Sequence, residues 1–302
     1  MKDSQKKILK WAIMVALVLT WGSSYILMKR GLEEYTAMQV GALRIGITFI
    51  ILLPMVMKRL KMVPRNRLWL LVLSGFIGNG IPAFLFAQAQ KGIDSEVAGI
   101  LNSVAPLFTL VIGAVFFRFR THWLNIAGVF IGLAGAVGLL SVGTKGFDEN
   151  FSYGIYIIIA TMLYAANINL VKTYYKEIDA VSITVISYIV IGMISIGYLL
   201  AGTDFINHAS DEQSLKAMGY VAILALAGTA IAGILYNYMI KISSVLFAAS
   251  VAYIIPIVAI MWGVIDGEIF YKEYIFWILL IFAGVFLVNR EKMKSKTLKI
   301  KK

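Results

Sequence analysis

The chain has 302 residues, of which 60% are hydrophobic and 15% are charged, and its formal net charge is +12. Water-soluble domains contain about 25% charged residues, so this composition excludes an ordinary soluble protein. The absence of cysteine excludes disulfide bridges, thiolate catalysis and cysteine metal sites.

Hydrophobic runs of about 20 residues recur along the chain, and runs of that length predict membrane-spanning helices. We predict ten of them, at residues 10–28, 37–57, 68–88, 95–117, 123–142, 153–171, 181–201, 216–237, 243–264 and 274–289. The first run is longer than the apolar core of a signal peptide and ends without a cleavage site, so we interpret it as a retained span. The sequence therefore predicts an all-α integral membrane protein with ten transmembrane helices.

The distribution of basic residues predicts the orientation of these spans. With ten spans, both termini lie on the same side of the membrane. That side holds 21 of the 28 Lys and Arg residues, the other side holds six, and Arg44 lies inside the second span. Because cytoplasmic loops carry the excess of basic residues, we predict that both termini are cytoplasmic. The positive charge then indicates contact with anionic lipid headgroups rather than with nucleic acid.

Two stretches that lie 150 positions apart share the order of their residues. The first contains Lys91, Ala98, Pro106 and Gly113, and the second contains Lys241, Ala248, Pro256 and Gly263. Nearer the start of each half, the offset is 143 positions and the matching residues are Trp21, Ser24 and Lys29 with Tyr164, Asn167 and Lys172. The chain therefore reads as two related halves of five spans each.

An odd number of spans in each half means that the second half enters the membrane from the opposite side. We predict one repeat at residues 1–143, a second and inverted repeat at 144–290, and a basic cytoplasmic tail at 291–302. Inverted repeats are typical of carriers that open alternately to the two sides of a membrane.

Pro106 and Pro256 lie near the middle of the fourth and ninth predicted spans. Each proline frees the backbone carbonyl four residues earlier, at Asn102 and Ala252. A freed carbonyl at that depth is buried in protein or lines a wet cavity. We favour a substrate pathway over a packed structural kink, because matching interruptions in two repeats point to a central binding site.

Polar and aromatic side chains share faces of the third and eighth spans. Asn79, Phe86 and Gln90 lie at helical spacing, and the eighth span presents Thr229, Gly233, Tyr236 and Ile240. A binding site and hydrogen bonds between helices explain these faces equally well. The same choice applies to Asn167 with Tyr164.

The candidate pathway residues combine aromatic rings and amides, which suit an uncharged or zwitterionic substrate such as an amino acid. They are Trp21, Ser24, Asn79, Phe86, Gln90, Asn102, Pro106, Tyr164, Asn167, Thr229, Tyr236, Tyr253 and Pro256.

Two charged residues near these spans have two interpretations each. We favour a structural role for Arg44, which reaches outward or pairs with Glu33 or Glu34, over an anchor for a substrate anion. For Glu96, at the outer start of the fourth span, we favour a solvated loop acid over a proton-coupling carboxylate.

Other features predict no metal or cofactor. His122 and His208 fall on opposite sides of the predicted membrane and cannot share a metal ion, and no zinc signature is present. Gly128, Gly132 and Gly135 form a small-residue face that serves packing within the bundle or in a homodimer.

The opening Trp21-Gly22-Ser23-Ser24, followed by Lys29 and Arg44, resembles an EamA-type repeat of the drug/metabolite transporter superfamily. The proline-containing fourth and ninth spans also resemble that repeat, as does Gly267-Glu268 followed by Gly284. Two departures are Phe117-Arg118, where the family commonly has Gly-Glu, and Tyr164-Ala165-Ala166-Asn167 at the second opening. The resemblance implies a secondary carrier of small organic molecules, often an exporter, without a bound cofactor.

These observations together predict an exporter of small metabolites such as amino acids in the bacterial cytoplasmic membrane, and not an enzyme. The alternatives are uptake or exchange of an anionic metabolite anchored by Arg44, and a lipid-handling or scaffold membrane protein.

Overall fold

The computed structural model describes residues 3–117, 122–142, 146–208 and 211–298, and within these ranges the chain is helical and contains no strand. Arg118 and the end of the predicted basic tail, residues 299–302, lie outside the described residues. We number the ten long helical segments α1 to α10 in chain order.

Five segments belong to the first half of the chain: α1 (Asp3–Gly22, continuing as Ser24–Leu32), α2 (Ala37–Leu60), α3 (Leu68–Gly75, Phe76–Gly80 and Ile81–Ala89), α4 (Ser95–Asn102 and Ala105–Phe117) and α5 (Trp123–Leu139). Five belong to the second half: α6 (Gly146–Tyr174), α7 (Ala180–Ala201), α8 (Glu212–Ala225, Leu226–Ile231 and Ala232–Ile242), α9 (Val245–Ala249 and Val251–Ile265) and α10 (Glu273–Leu298). Short helical turns at Arg65–Arg67 and Phe205–His208 lie in the connections.

All ten predicted hydrophobic runs are helical, and eight of the segments are long and apolar enough to cross a membrane. The other two are shorter: α5 has 17 residues, and the apolar part of α10 is Glu273–Leu287. Large apolar side chains face outward, including Phe116 and Phe130, which are 75% and 71% exposed. An all-helical, multi-span membrane protein is therefore confirmed, while membrane crossing by α5 and α10 stays a prediction.

The third and eighth segments are each interrupted by a π-helical turn. These turns, Phe76–Gly80 in α3 and Leu226–Ile231 in α8, begin 150 residues apart. A π turn inserts an extra residue, so the side chains that follow it are rotated relative to those before it. Such turns often occur at functional sites.

The fourth and ninth segments are interrupted as well, but proline marks the break in only one of them. In α4 the helix breaks at Ser103 and Val104, and Pro106 lies in the first turn of the next piece, where a missing N–H is tolerated. In α9 the break is at Ser250, and Pro256 lies inside the continuous helix Val251–Ile265. The predicted interruption at Pro256 is therefore displaced toward the start of the segment.

The main contacts between segments recur when the two halves are exchanged. The segment α1 packs on α8 and α9, as α6 packs on α3 and α4. Likewise α3 packs on α7 as α8 packs on α2, while α2 pairs with α7 and α5 pairs with α10. This is the packing pattern of two similar units related by an approximate two-fold axis.

The helices α5 and α10 cross with their backbones in contact. A Cβ placed on Gly284 would lie 2.4 Å from the backbone nitrogen of Gly132 and 2.5 Å from the carbonyl oxygen of Gly128. The small-residue face predicted for the bundle or a homodimer is therefore used within the bundle.

Candidate functional site

A cavity of about 130 Å³ lies at the centre of the bundle, measured as space open to the centre of a water molecule. One water needs only about 10–15 Å³ on that measure, so the cavity holds a small organic molecule or several waters. Its lining comes from α1, α2, α3 and α4 of the first half and from α6, α8 and α9 of the second half.

Nine of the thirteen predicted pathway residues line this cavity: Trp21, Ser24, Asn79, Phe86, Asn102, Tyr164, Asn167, Thr229 and Tyr236. The other four, Gln90, Pro106, Tyr253 and Pro256, are not among its lining residues. The side chain of Gln90 instead turns toward α1 and α4, where its Nε2 donates to the carbonyl of Tyr25 and to Ser95 Oγ, each at 3.1 Å. Helical spacing predicted that Gln90 shares a face with Asn79 and Phe86, but α3 ends at Ala89, so this spacing does not apply to Gln90.

Sequence reasoning missed several lining residues, and two of them had a visible signal. Trp21, Ser24, Tyr25 and Met28 follow one another at the spacing of a single helix face, and all four line the cavity. Asn237 was also missed; its Nδ2 donates to Thr184 Oγ1 at 3.0 Å. The remaining missed residues are small or aliphatic and include Gly78, Ala105, Gly228, Val251 and Ile255.

Aromatic rings form much of the wall. The rings of Trp21 and Tyr236 meet edge to face with centroids 4.8 Å apart, and those of Phe86 and Tyr164 stack at 5.8 Å. The indole Nε1 of Trp21 donates to the carbonyl of Gly228 in the π turn of α8, at 2.9 Å. Rings held in this way give the cavity a rigid apolar surface.

Each π turn receives a polar side chain from the opposite half. A Cβ on Gly78, in the π turn of α3, would lie 2.1 Å from Asn167 Nδ2. A Cβ on Gly228, in the π turn of α8, would lie 2.7 Å from Ser24 Oγ. Only glycine leaves room for these side chains, and the two contacts join residues that the repeat pairs with each other.

The polar residue next to each of these glycines is also held across the halves. Tyr188 of α7 donates through its hydroxyl to Asn79 Oδ1 at 2.8 Å. Arg44 of α2 donates through Nε to Thr229 Oγ1, also at 2.8 Å. These bonds fix the two π turns on either side of the cavity.

Arg44 faces the cavity and does not reach outward. It is 9% exposed and lines the cavity, and the residue Glu33, with which we expected it to pair, forms an ion pair with Arg30 instead. Among the described residues no carboxylate forms an ion pair with Arg44. The expected outward position or pairing with Glu33 or Glu34 is therefore wrong, because the hydrogen bond to Thr229 turns the guanidinium inward.

A group of four charged residues lies beside the cavity, and we call it the charge cluster: Lys29, Arg30, Asp266 and Glu268. Lys29 Nζ lies 2.6 Å from Asp266 Oδ2 and 2.7 Å from Glu268 Oε1, and Arg30 also contacts Asp266. The carboxylates of Asp266 and Glu268 are 8% and 3% exposed. Met28, the neighbour of Lys29, lines the cavity, so the cluster joins α1 to the end of α9 directly beside it.

The turn that ends α9 sets the positions of Asp266 and Glu268. Gly267 has φ +86°, and the N–H groups of Gly267 and Glu268 donate to the carbonyls of Val264 and Gly263 at 3.2 and 2.9 Å. This is a Schellman motif, which requires a left-handed residue such as glycine. It folds Glu268 back against Gly263, where a Cβ would lie 2.5 Å from Glu268 Oε2.

Glu96 is fully buried, with 0% exposure, so our expectation of a solvated loop acid is wrong. It lies in the first turn of α4, and the turn packs against the charge cluster: the backbone N–H groups of Ser95 and Glu96 donate to Glu268 at 3.2 and 3.3 Å. Long-range packing of α9 on α4 buries this residue.

The end of the bundle that lies opposite the charge cluster is held differently. Lys172, the repeat counterpart of Lys29, donates to the backbone carbonyls of Ile240 and Ser243 at 2.7 and 2.5 Å. Lys241 donates to the carbonyls of Lys176 and Tyr175, at 2.9 and 3.2 Å. These contacts join the ends of α6 and α8 and the connections that follow them through backbone carbonyls.

Comparison with known proteins identifies the fold and the family. The chain is 23% identical to a probable terminal-alkyne amino-acid exporter of Streptantibioticus cattleyicolor, over 93% of both chains. It is 28% identical to the uncharacterized inner membrane transporter YedA of Escherichia coli K12, over 89% of this chain and 87% of that protein. A solved crystal structure with 15% identity superposes with a TM-score of 0.69 and covers 97% of this chain and 99% of its own, which shows a shared fold.

The model of the EamA-like transporter family matches twice, at residues 9–141 and 152–290. Members of this family are transporters. The resemblance found in the sequence is thus confirmed, and the chain belongs to the EamA-like transporter family and is a multi-pass protein of the bacterial inner membrane.

Proposed function

We propose that this protein is a secondary transporter that exports small zwitterionic metabolites, amino acids among them, through the central cavity. The observation that carries this proposal is the cavity itself, which lies between the two halves and is lined by a guanidinium, amides and aromatic rings. A largely apolar cavity with few convergent polar groups is the usual form of a small-molecule site.

The polar groups of the cavity fit both charges of a zwitterion. Arg44 offers a positive charge that no carboxylate neutralises among the described residues, and guanidinium groups bind carboxylates in a planar, two-point geometry. The Oδ1 atoms of Asn102 and Asn167 are buried without a hydrogen-bond partner in the part of the chain that the structure describes. An ammonium group bound between them would satisfy these acceptors.

The aromatic wall supports an apolar substituent on the substrate. Trp21, Phe86, Tyr164 and Tyr236 surround the same space as Arg44. Among the relatives, one is named a probable terminal-alkyne amino-acid exporter and another, from Salmonella typhimurium, a probable amino-acid metabolite efflux pump. Those names agree with an amino acid or a derivative that carries an apolar side chain.

We infer that all ten segments cross the membrane, with both termini in the cytoplasm and the halves 1–143 and 144–290 inverted. The 17 residues of α5 span about 25 Å at 1.5 Å per residue, close to the thickness of the hydrocarbon core. The two-fold pattern of packing, the paired π turns and the basic residues on the predicted cytoplasmic side support the inverted arrangement.

Alternating access then consists of the closing of one end of the cavity while the other opens. The π turns of α3 and α8 and the breaks in α4 and α9 lie at cavity level, where a small change in backbone angles moves a whole half-helix. The charge cluster closes the end that we assign to the outside.

The test is flux into proteoliposomes that contain the purified protein, screened with radiolabelled amino acids and carboxylate metabolites, with and without a pH gradient. We expect saturable transport of an apolar amino acid, abolished by Asn79→Trp, which fills the cavity. The exposed Trp69→Phe is the matched control and retains transport.

Two outcomes would contradict the proposal. Transport of carboxylate metabolites without an amino group would favour exchange of anions anchored by Arg44. The absence of flux for every compound, with well-folded protein, would favour a lipid-handling or scaffold role.

A further inference from the structure

Glu96 is a buried carboxyl group whose oxygens accept no hydrogen bond from the part of the chain that the structure describes. Its side chain is 0% exposed, and neither Oε1 nor Oε2 has a hydrogen-bond partner among the described residues. It lies six residues before the cavity-lining Asn102, which is about 9 Å along a helix. A buried carboxylate that is neither paired nor hydrogen-bonded is strongly unfavourable, so the arrangement in the structure favours the neutral form of this group.

The carboxyl groups of Glu96 and Glu268 lie side by side. A Cβ on Gly263 would lie 2.5 Å from Glu268 Oε2 and 3.4 Å from Glu96 Oε2, so both oxygens border the same small space. Glu268 also accepts the backbone N–H of Glu96 at 3.3 Å. Two carboxyl groups so close together in a dry site do not both ionise.

The surroundings decide which of the two carries the charge. Glu268 receives Lys29 at 2.7 Å and two backbone N–H groups of α4, and these contacts stabilise a negative charge on Glu268 rather than on Glu96. Lys29 is already shared between Asp266 and Glu268.

The other titratable groups that face Glu96 supply no positive charge. They are Asp94 in its own turn, Tyr274 of α10, which interacts electrostatically with Glu96, and Tyr153 of α6, whose ring lies against Gly92 beside this turn. Nothing around Glu96 other than the shared Lys29 therefore favours its ionised form.

We propose that Glu96 is a proton-binding site that controls the outer end of the cavity, which stays closed while Glu96 holds its proton and opens when the proton is lost. The proposal rests on the orientation given under the proposed function. On deprotonation the O–H bond of Glu96 breaks and the proton passes to water on the outer side. The new carboxylate repels Glu268 and Asp94 and competes for Lys29, and these changes loosen the charge cluster.

The chain contains no cysteine, so a single introduced cysteine is the one thiol that a reagent can modify. Met28→Cys places one thiol on the cavity wall, where the native side chain is 2% exposed. Right-side-out vesicles are treated with a membrane-impermeant methanethiosulfonate at outer pH from about 6 to about 10, because buried glutamates release their protons near pH 8–9 in documented cases. Rates are divided by those of Lys91→Cys, an exposed site beside the same end, to remove the pH dependence of the thiol itself.

We expect the normalised rate at Met28→Cys to rise with outer pH by at most about tenfold per pH unit, the limit for one proton. Adding Glu96→Gln, which mimics the protonated acid, should keep the rate low at every pH. Adding Glu34→Gln, which removes an exposed carboxylate at the same end, should leave the rise unchanged.

An identical pH profile with and without Glu96→Gln would overturn the proposal. Lack of labelling at Lys91→Cys from outside would instead overturn the orientation, and the proposal with it. The readout needs no substrate, so failure of the transport assay is a separate result.

A second measurement applies if Glu96→Gln does not fold. Dicyclohexylcarbodiimide adds to protonated carboxyl groups in apolar surroundings, and mass spectrometry locates the adduct. We expect an adduct on Glu96 at about pH 6 that is lost at about pH 10. No adduct on Glu96 at either pH would overturn the proposal.

Discussion

Arg44 brings a positive charge into the bundle that the protein does not neutralise with a carboxylate among the described residues. Its Nε donates to Thr229 at 2.8 Å, which leaves the terminal nitrogens as the donors nearest the cavity. Burial of an unpaired charge is costly, and such residues inside membrane spans usually belong to substrate or ion pathways. A substrate carboxylate would supply the missing partner.

At the residue scale, we predict that Arg44→Gln weakens binding of the transported amino acid by roughly 10- to 100-fold, the loss of one or two charge-assisted hydrogen bonds. Arg44→Lys should retain part of the affinity, since it keeps the charge but loses the bond from Nε and the planar fork. Equilibrium binding to purified protein measures both. Trp69→Phe, at an exposed position that is not among the lining residues, is the control and should leave the affinity unchanged; equal affinity of Arg44→Gln and the native protein would contradict the anchor.

The sequence predicts those site residues that share one helix face. It does not predict residues whose orientation or burial depends on a contact with a distant part of the chain. Trp21 and Ser24 share a face of α1, and helical spacing alone places them together. Arg44 faces the cavity because Thr229, 185 residues away, accepts its Nε. Glu96 is buried by Glu268, 172 residues away, and no local pattern contains that information.

The segments α5 and α10 are held together by direct backbone contact, with Gly284 against Gly132 and Gly128. Without a hydrophobic driving force between helices in lipid, close packing of small residues supplies much of the attraction. The same contact explains why α5 remains attached to the bundle although it lines none of the cavity.

We predict that Gly284→Ala destabilises the protein by about 1–3 kcal/mol, because its methyl group meets the backbone of α5 and neither helix can yield locally. Gly197→Ala is the matched control: it also lies within a helix, and a Cβ there meets nothing within 4 Å. This control should be neutral or stabilising through higher helix propensity. Thermal unfolding in detergent compares them, and equal melting temperatures would contradict the backbone contact.

The start of α7 depends on Asp179, the N-cap residue. Burial alone would raise the pKa of Asp179, but hydrogen bonds from the Ser182 hydroxyl and N–H, together with Arg59 at 3.1 Å, hold that pKa below its usual range. A lowered folded pKa means that this stabilisation is complete above the unfolded value of about 3.9 and is lost as pH falls through the folded value.

Accordingly, Asp179→Ala should lower the free energy of unfolding by about 0.5–2 kcal/mol at neutral pH, the usual value of a helix cap. The difference from the native protein should persist from about pH 7 to about pH 5 and shrink below about pH 4. Melting temperatures across that range measure it. Asp148→Ala, at an exposed carboxylate, should change little, and an effect of Asp179→Ala that grows as pH falls would contradict the cap.

The helices themselves were predictable because a helix in lipid depends on its own local sequence. Each run of about 20 apolar residues satisfies its own backbone hydrogen bonds, so the ten segments follow from hydropathy without knowledge of the fold. The π turns at Phe76–Gly80 and Leu226–Ile231 were not predictable in this way. Asn167 and Ser24 from the other half occupy the space beside Gly78 and Gly228 in these turns, and such tertiary contacts are not visible in local sequence.

At the scale of the whole molecule, the two halves pack alike but are joined by different chemistry at the two ends of the bundle. At one end Lys29 pairs with the buried carboxylates Asp266 and Glu268. At the other, its counterpart Lys172 binds the backbone carbonyls of Ile240 and Ser243. Carboxylates lose their charge on protonation, whereas backbone carbonyls do not titrate, so a change of carboxyl charge acts on the end that holds Asp266 and Glu268.

Because the two ends differ in this way, we expect two matched variants to differ in how fast the cavity can be modified from outside. Lys29→Met removes the cation shared by Asp266 and Glu268, which leaves Arg30 on Asp266 and no ion pair on the buried Glu268 among the described residues, and this should force that end open. Lys172→Met removes only hydrogen bonds to backbone carbonyls, and the outer end keeps its ion pairs. Modification of Met28→Cys from outside should therefore become at least about tenfold faster with Lys29→Met, which corresponds to a shift of about 1.4 kcal/mol, and stay unchanged with Lys172→Met. If both variants accelerated modification equally, the charge cluster would not be the element that holds the outer end closed.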